Sequence, residues 1–407
     1  MIKIIDSKAA PALMTRKSVR LKEAEQTVAP ILDAVRDRGD AALLEYARKF
    51  DGFSGRSVHV PVKGSLSAEL QSAVETAAMN IRECACQQIP RERMTEYPDG
   101  RRIGEIVRPL DSMGAYIPGG RYPLLSTILM TVIPAQVAGV KTICIACPKP
   151  VPEILGVSAW LQISELFQMG GAQAIAAFAF GTETVPKVDC IVGPGNIYVA
   201  AAKKLLAGEV AIDFIAGPTE IVIIAAEGDP RWLAADMLAQ AEHDVDASAI
   251  LLTTSRALAE AVAVEIERQL QTLPTAAVAR PSIDANGAII VVDSLAQAVE
   301  LSNALAPEHL SLHDASLLPS IRHAGSVFLG PSSPEAAGDY ASGPNHVLPT
   351  SGAARLYGGL SAADFVKVIS VQELTPAALA GLAQSITVLA RAEGLEGHAR
   401  SVEVRSA

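Results

Sequence analysis

Gln240 and His243 stand three residues apart at the end of an apolar run, RWLAADMLAQAEHD, and Glu308-His309 follows a proline in APEHL. A carboxamide and an imidazole one helical turn apart project from one face and can meet a single ion. Asp339, in the glycine-bearing stretch AAGDYASGP, offers a carboxylate from a loop. Oxygen and nitrogen donors without a thiolate suit a catalytic zinc, or manganese, better than a closed structural zinc site. A plain helix C-terminus whose dipole faces the imidazole would show the same spacing. Glu308 and His309 set an acid beside a base on a loop. Such a pair can take a proton from an alcohol or activate water when burial moves its pKa values towards neutrality. A solvated loop pair looks alike, and spacing alone does not separate the two.

Elements that could position these groups follow from about Ala115, where short β-rich runs alternate with helical segments in the manner of parallel α/β sheets. TICIAC (142–147), AIAAFAF (174–180) and CIVG (190–193) read as strands, with helix over 153–169. A second series reads IVIIAA (221–226), AILLTT (249–254), AIIVVD (288–293) and SVFLG (326–330). Asp229-Pro230 and Ser255 have the form of helix caps. Two such sheets predict two Rossmann-like lobes, with ligands at the carboxyl ends of strands or in the cleft between lobes. The first hundred residues read as mainly helical, ILDAVRDRGDAALLEYARKF being the best amphipathic segment, and the chain returns to helix from Thr375. The dinucleotide fingerprint G-x-G-x-x-G is missing. In its place VGPGNIYVAAAKKLL sets Gly193 and Gly195 at a strand end and Asn196 at a helix start, where backbone amides can hold a phosphate. An ordinary strand-to-helix turn fits that stretch equally well.

Composition narrows the partners. The 407 residues are 50% hydrophobic with a net charge of −10, which supports a large core and disfavours a nucleic-acid surface, leaving a small-molecule partner. The charged start MIKIIDSKAAPALMTRKS has no signal-peptide core, so a cytoplasmic location is expected. The uncharged window Tyr122 to Val140 is long enough for a bilayer, but Pro123, Pro134 and Gln136 favour a buried helix with a break over a membrane span. Five cysteines suit reduced thiols; Cys144 and Cys147 should point to opposite faces of a strand, as core residues.

Longer stretches carry a resemblance. GAYIPGGRYPLLSTILMTVIPAQVAGV, GGAQAIAAFAFGTETVPKVDCIVGPGNIYVAAAKKL, DFIAGPTEIVIIA, LAQAEHD, APEHL, GDYASGPNHVLPTSGAARLYGGLSAADFVK and EGLEGHARSV are similar to the histidinol dehydrogenase family, in family order from about residue 10 onward. The resemblance implies oxidation of L-histidinol to L-histidine, the last steps of histidine biosynthesis, in two hydride transfers to NAD through an aldehyde. It implies one Zn2+ per subunit on Gln240, His243, Asp339 and His398. His309 matches the general base, and Glu308 the acid/base that activates water against the aldehyde. Substrate contacts fall on Thr219, Gln240, His243, His309, Asp339, Tyr340, His346, Glu393 and His398, and NAD contacts on Tyr116, Gln173 and Asn196. The implied α/β fold has one Rossmann-like lobe (115–220) inserted in a main one (13–114 with 221–358), after an N-terminal segment (1–12). A helical tail (359–407) would cross to the partner of a homodimer and complete its site.

Two positions depart from the family pattern. Thr219 replaces the usual serine, and Arg121-Tyr122 stands where small residues are common. An arginine there can fork onto an anionic group, so the alternative is a related zinc and NAD enzyme acting on an acidic alcohol such as a sulfonated diol. A non-catalytic metal- or metabolite-binding relative would show the loss of a ligand or base. Gln240, His243, Glu308, His309, Asp339 and His398 are all present.

Overall fold

The computed structural model describes residues 1–8, 19–120 and 122–406; Arg121 and the expected boundary between residues 12 and 13 lie outside them. Continuous aliphatic runs form the strands, as they must where helices cover both faces of a parallel sheet. One sheet is ordered β1 (Lys3–Asp6), β12 (Ala288–Val291), β11 (Ser248–Thr253), β10 (Glu220–Ile224), β13 (His309–Leu312) and β14 (Ser326–Leu329), parallel throughout. Helices α8 (Pro230–Ala241), α9 (Arg256–Leu270) and α10 (Ala276–Asn286) cover one face and α11 (Leu295–Leu305) the other. The expected caps are present: Asp229 accepts from the Arg231 amide and Ser255 from the Leu258 amide.

A second sheet is ordered β2 (His59–Val60), β7 (Glu165–Phe167), β6 (Thr142–Ala146), β5 (Ser112–Tyr116), β8 (Cys190–Val192) and β9 (Ala211–Ile212), with only β2 antiparallel. On one face lie α1 (Val19–Arg38), α2 (Asp40–Asp51), α6 (Gly171–Phe180) and α7 (Ile197–Leu206); on the other lie α3 (Ala68–Gln88), α4 (Leu125–Ala138) and α5 (Pro152–Trp160). Cys144 and Cys147 fall in the cores on opposite faces, and burial pushes their thiols up to about 12 and about 11. A third, antiparallel sheet joins β15 (Val366–Leu374), β4 (Arg101–Pro109) and β3 (Arg93–Glu96). Helix α12 (Glu335–Tyr340) follows the first sheet, and α13 (Pro376–Ala392) and α14 (Glu396–Ser406) close the chain.

Several expectations need correction. AIAAFAF lies in helix α6, not a strand: a helix buried all round has no polar stripe, so its apolar run carries no helical period. The helix expected over 153–169 stops at Trp160, and the chain re-enters the sheet as β7. Of the expected main lobe, residues 19–114 do not pack with 221–358 as one lobe. Strand β2 pairs with β7, and α1, α2 and α3 cover the second sheet, whereas β1, expected in a separate N-terminal segment, edges the first. The tail opens with strand β15 before its helices. No helix among the described residues is long and apolar enough to cross a membrane.

Helix α4 runs through Pro134 without the expected break. Proline has no N–H to give the carbonyl four residues back. That carbonyl, on Met130, instead accepts a hydrogen bond of 2.6 Å from the Asn345 side chain.

Candidate active site

Strands β10 and β13 lie side by side with Ile221 in register with His309. Their amino ends therefore bring Thr219 and Glu220 against Glu308 and His309. Glu308 Oε2 accepts from the Thr219 hydroxyl at 2.5 Å and the Glu220 amide at 2.9 Å. His309 Nδ1 lies 3.3 Å from the Glu220 carbonyl, which can only accept. The neutral ring thus keeps its proton on Nδ1 and its lone pair on Nε2. Among the described residues Nε2 is buried without a hydrogen-bond partner, at a cost of about 1–3 kcal/mol that a ligand can relieve. Both residues are buried, and His309 opens a strand; the solvated loop pair is excluded.

The chain leaves α8 at Ala241, which turns His243 back over the last helical turn. Its Nδ1 meets the Ala239 carbonyl at 3.0 Å, leaving Nε2 as the bare donor, 3.9 Å from Asp339 Oδ2. His309 Nε2 is 3.7 Å from Asp339 Oδ1. Two ligands of a tetrahedral zinc stand roughly 3.4 Å apart, so the His243 and Asp339 atoms are spaced to share an ion after a small adjustment. Gln240 is fully buried, with its amide between Thr219 and Glu335. The Thr219 hydroxyl has one proton, and the amide must follow it. When the hydroxyl donates to Glu308, Gln240 Nε2 donates to Thr219 at 2.6 Å. In the opposite setting Gln240 accepts from Thr219, and its Nε2 donates to Glu335 at 2.7 Å.

Asp339 sits in α12, not in a loop, and Glu335 lies one turn before it on the same face. Sequence reasoning missed Glu335; its signal was the spacing Glu-x-x-x-Asp directly after Pro334. The ligand atoms of His309, Glu335 and Asp339 lie within 4.8 Å of one another, and the three could hold a metal ion. Burial raises the pKa of Glu308 and pushes Glu335 up to about 8. Burial opposes charge on His309 too, but the Glu335, Glu308 and Asp339 carboxylates overcome it and lift His309 to about 10. Asp339 is held down, against its own burial, by His309, His346 and His243.

His346 reaches this cluster from a loop clamped by the other lobe. Its Nδ1 meets the Asp339 carbonyl at 2.8 Å, and its Nε2 faces the Thr127 hydroxyl on α4 at 3.4 Å. Asn345 docks on the open carbonyl of α4, and Asn80 of α3 donates to the Ala341 carbonyl at 2.7 Å. Gly343, at φ +111°, packs where a Cβ would come within 2.8 Å of the Asn80 carbonyl. Burial keeps His346 below its ordinary pKa, and hence neutral.

Thr127, in the first turn of the helix that follows β5, brings the carboxyl end of that strand's sheet towards the cluster through His346. The chain reverses its strand order between β5 and β8, the place where open α/β sheets hold ligands. Tyr116 ends β5, and its hydroxyl accepts from the Gly171 amide at 3.1 Å. Gln173, in the first turn of α6, is buried; Asn196 is exposed. Asn196 caps α7 by accepting from the Tyr198 and Val199 amides, so those two donors are already engaged. A Cβ on Gly193 would stand 2.3 Å from the Tyr116 carbonyl, and its φ of +107° suits only glycine. The buried Lys203 holds this turn, donating to the Gly193 carbonyl at 2.7 Å and to Asp213 at 2.6 Å.

The histidinol dehydrogenase family model matches residues 14–406. A histidinol dehydrogenase of Synechococcus sp. is 47% identical over 94% of this chain and 92% of its own length. One from Thermus thermophilus is 49% identical over 94% of both. The chain belongs to the histidinol dehydrogenase family. The crystal structure of histidinol dehydrogenase from Elizabethkingia anophelis superposes with a TM-score of 0.93 at 38% identity, covering 100% of this chain and 98% of that one. An acetylating aldehyde dehydrogenase from Geobacillus thermoglucosidasius, at 13% identity and a TM-score of 0.52, shares the fold alone.

Histidinol dehydrogenases are oxidoreductases, and membership of a dehydrogenase family points to a nicotinamide-type cofactor. Of the residues that the family pattern marks here, the structure gathers Thr219, Gln240, His243, Glu308, His309, Asp339 and His346, with Tyr340 60% exposed at the rim. Glu393 and His398 are not among them. They sit on the exposed tail, at the end of α13 and in α14, with no hydrogen bond or ion pair to the cluster among the described residues.

Proposed function

We propose that this chain oxidises L-histidinol to L-histidine at a zinc site on Gln240, His243, Asp339 and His398, with two NAD as hydride acceptors. The observation that carries this reading is His309: its Nδ1 is fixed by a backbone carbonyl, and its buried Nε2 faces Asp339 with no hydrogen-bond partner among the described residues. A zinc ion would supply positive charge at the reacting oxygen and neutralise Asp339, allowing His309 to exchange a proton near neutrality, while NAD takes the hydride.

In the first oxidation His309 Nε2 takes the proton of the substrate hydroxyl. In the second, water adds to the aldehyde carbon: Glu308 takes a proton from that water and His309 returns its proton to the aldehyde oxygen, giving the hydrate. Neutral again, His309 takes a hydroxyl proton of the hydrate as hydride leaves for the second NAD, and the acid so formed ionises to the carboxylate. Thr219 and the Glu220 amide both bind Oε2 of Glu308, so Oε1 has no hydrogen bond among the described residues and suits that transfer. His346, kept neutral, and Tyr340 at the rim suit the substrate's imidazole and amine. Tyr116, Gln173 and Asn196 mark the NAD side.

The tail favours a homodimer in which Glu393 and His398 complete the partner's site. Its main packing is on itself and on β15. Val388, Leu389 and Val404 are 60%, 64% and 72% exposed, an apolar surface that a partner subunit would cover.

Incubation with NAD and histidinol should yield two NADH per histidinol. A chelator should abolish turnover, and added zinc should restore it. Reduction of NAD only with a sulfonated diol, or full activity in metal-free protein, would overturn the assignment.

A further inference from the structure

Asp51 closes α2 and reaches to the second sheet. Its Oδ2 accepts from the Gly170 amide at 3.0 Å and from the Gln173 carboxamide at 3.1 Å. A Cβ built on Gly170 would stand 2.8 Å from Asp51 Oδ1 and 2.8 Å from Pro148 Cβ. The carboxylate thus lies beside Pro148, just past the carboxyl end of β6. Oδ1 takes no hydrogen bond among the described residues, and the residue is only half-buried. Burial lifts its pKa, while the Gly170 and Gln173 donors and the nearby charge of Lys149 work the other way.

The neighbours β7, β6, β5 and β8 repeat the order of a dinucleotide-binding sheet, with β5 as first strand and β6 as second. In such sheets a carboxylate associated with the end of the second strand accepts a hydrogen bond from the adenosine ribose 2′-hydroxyl. Here that strand runs out into Cys147-Pro148-Lys149, which holds no acid. Asp51 brings one there from outside the sheet. We infer that Asp51 selects the cofactor: its free oxygen accepts the 2′-hydroxyl of NAD, and its charge repels the 2′-phosphate of NADP. This inference rests on the reading of the second sheet as the NAD lobe.

The test compares kcat/KM for NAD, for NAD lacking the adenosine 2′-hydroxyl, and for NADP, in the wild-type enzyme and in Asp51→Asn. Asparagine keeps an oxygen for the Gly170 amide. Loss of a hydrogen bond to a charged group predicts that the wild type loses roughly tenfold or more on the 2′-deoxy cofactor. The variant should lose a similar factor with NAD, mostly in KM, and cease to distinguish NAD from its deoxy form. Its kcat/KM with NADP should rise about tenfold, a gain that a merely structural lesion would not produce, and its KM for histidinol should stay unchanged. Equal wild-type use of NAD and 2′-deoxy NAD would overturn the inference without any variant, as would unchanged cofactor ratios in Asp51→Asn. A wild type that reduces neither NAD nor NADP would overturn the cofactor reading as well, which tells the two failures apart.

Discussion

The two lobes meet at opposite ends of their strands. The second sheet turns carboxyl ends to the cleft, where open α/β sheets ordinarily bind ligands, and it does so with glycine turns that let backbone approach backbone. The first sheet turns amino ends, at Glu220 and His309, and crowds buried carboxyls and imidazoles there. On the proposed function, the difference separates two tasks. A large cofactor is held by the shape of main-chain turns, whereas proton transfer needs side chains whose pKa values burial has moved. Substitutions at the two ends should therefore fail in different ways.

The sharpest test is His309→Ala, expected to lower turnover by about a thousandfold or more while zinc content stays at one per subunit; metal analysis beside steady-state rates would check both, and loss of the metal would blur the division of labour. Next, Glu308→Gln should slow aldehyde oxidation about a hundredfold and leave the alcohol step nearly intact, seen as one NADH per histidinol in a rapid single turnover. Because burial raises the pKa of Glu308 and its task needs the ionised form, the wild-type aldehyde step should climb with pH through a value above 4.5. That limb should vanish in Glu308→Gln. At the other lobe, Gly193→Ala should raise KM for NAD about tenfold with kcat and metal content preserved, since it strains only the turn. If it instead abolished metal binding, the contrast between the ends would collapse. Smallest of all, mixing His309→Ala with His398→Ala subunits should restore roughly a quarter of the wild-type activity, because half of randomly formed dimers would hold one intact site; demonstrated heterodimers without activity would confine the tail to its own chain.

How much of this was legible in the sequence depends on how local each signal is. The caps at Asp229 and Ser255 and most strand runs are written in neighbouring residues, and they appear where expected. The pairs Gln240 with His243 and Glu308 with His309 were visible as chemistry. Their geometry was not, since the strand that begins at His309 and the helix that carries Asp339 are short and set by tertiary packing. Glu335 was hidden for the same reason: without knowing that α12 is helical, its spacing from Asp339 says little. The packing of α1 to α3 on the second sheet depends on contacts distant in sequence, which no local pattern reports.

Pro134 shows how an absent proton can shape a site from afar. Replacing it by alanine would let α4 close its own ladder onto Met130 and turn Asn345 away. The loop bearing His346 would then lose its socket in the opposite lobe, and the mouth of the cleft could open more widely although every residue lining it was unchanged.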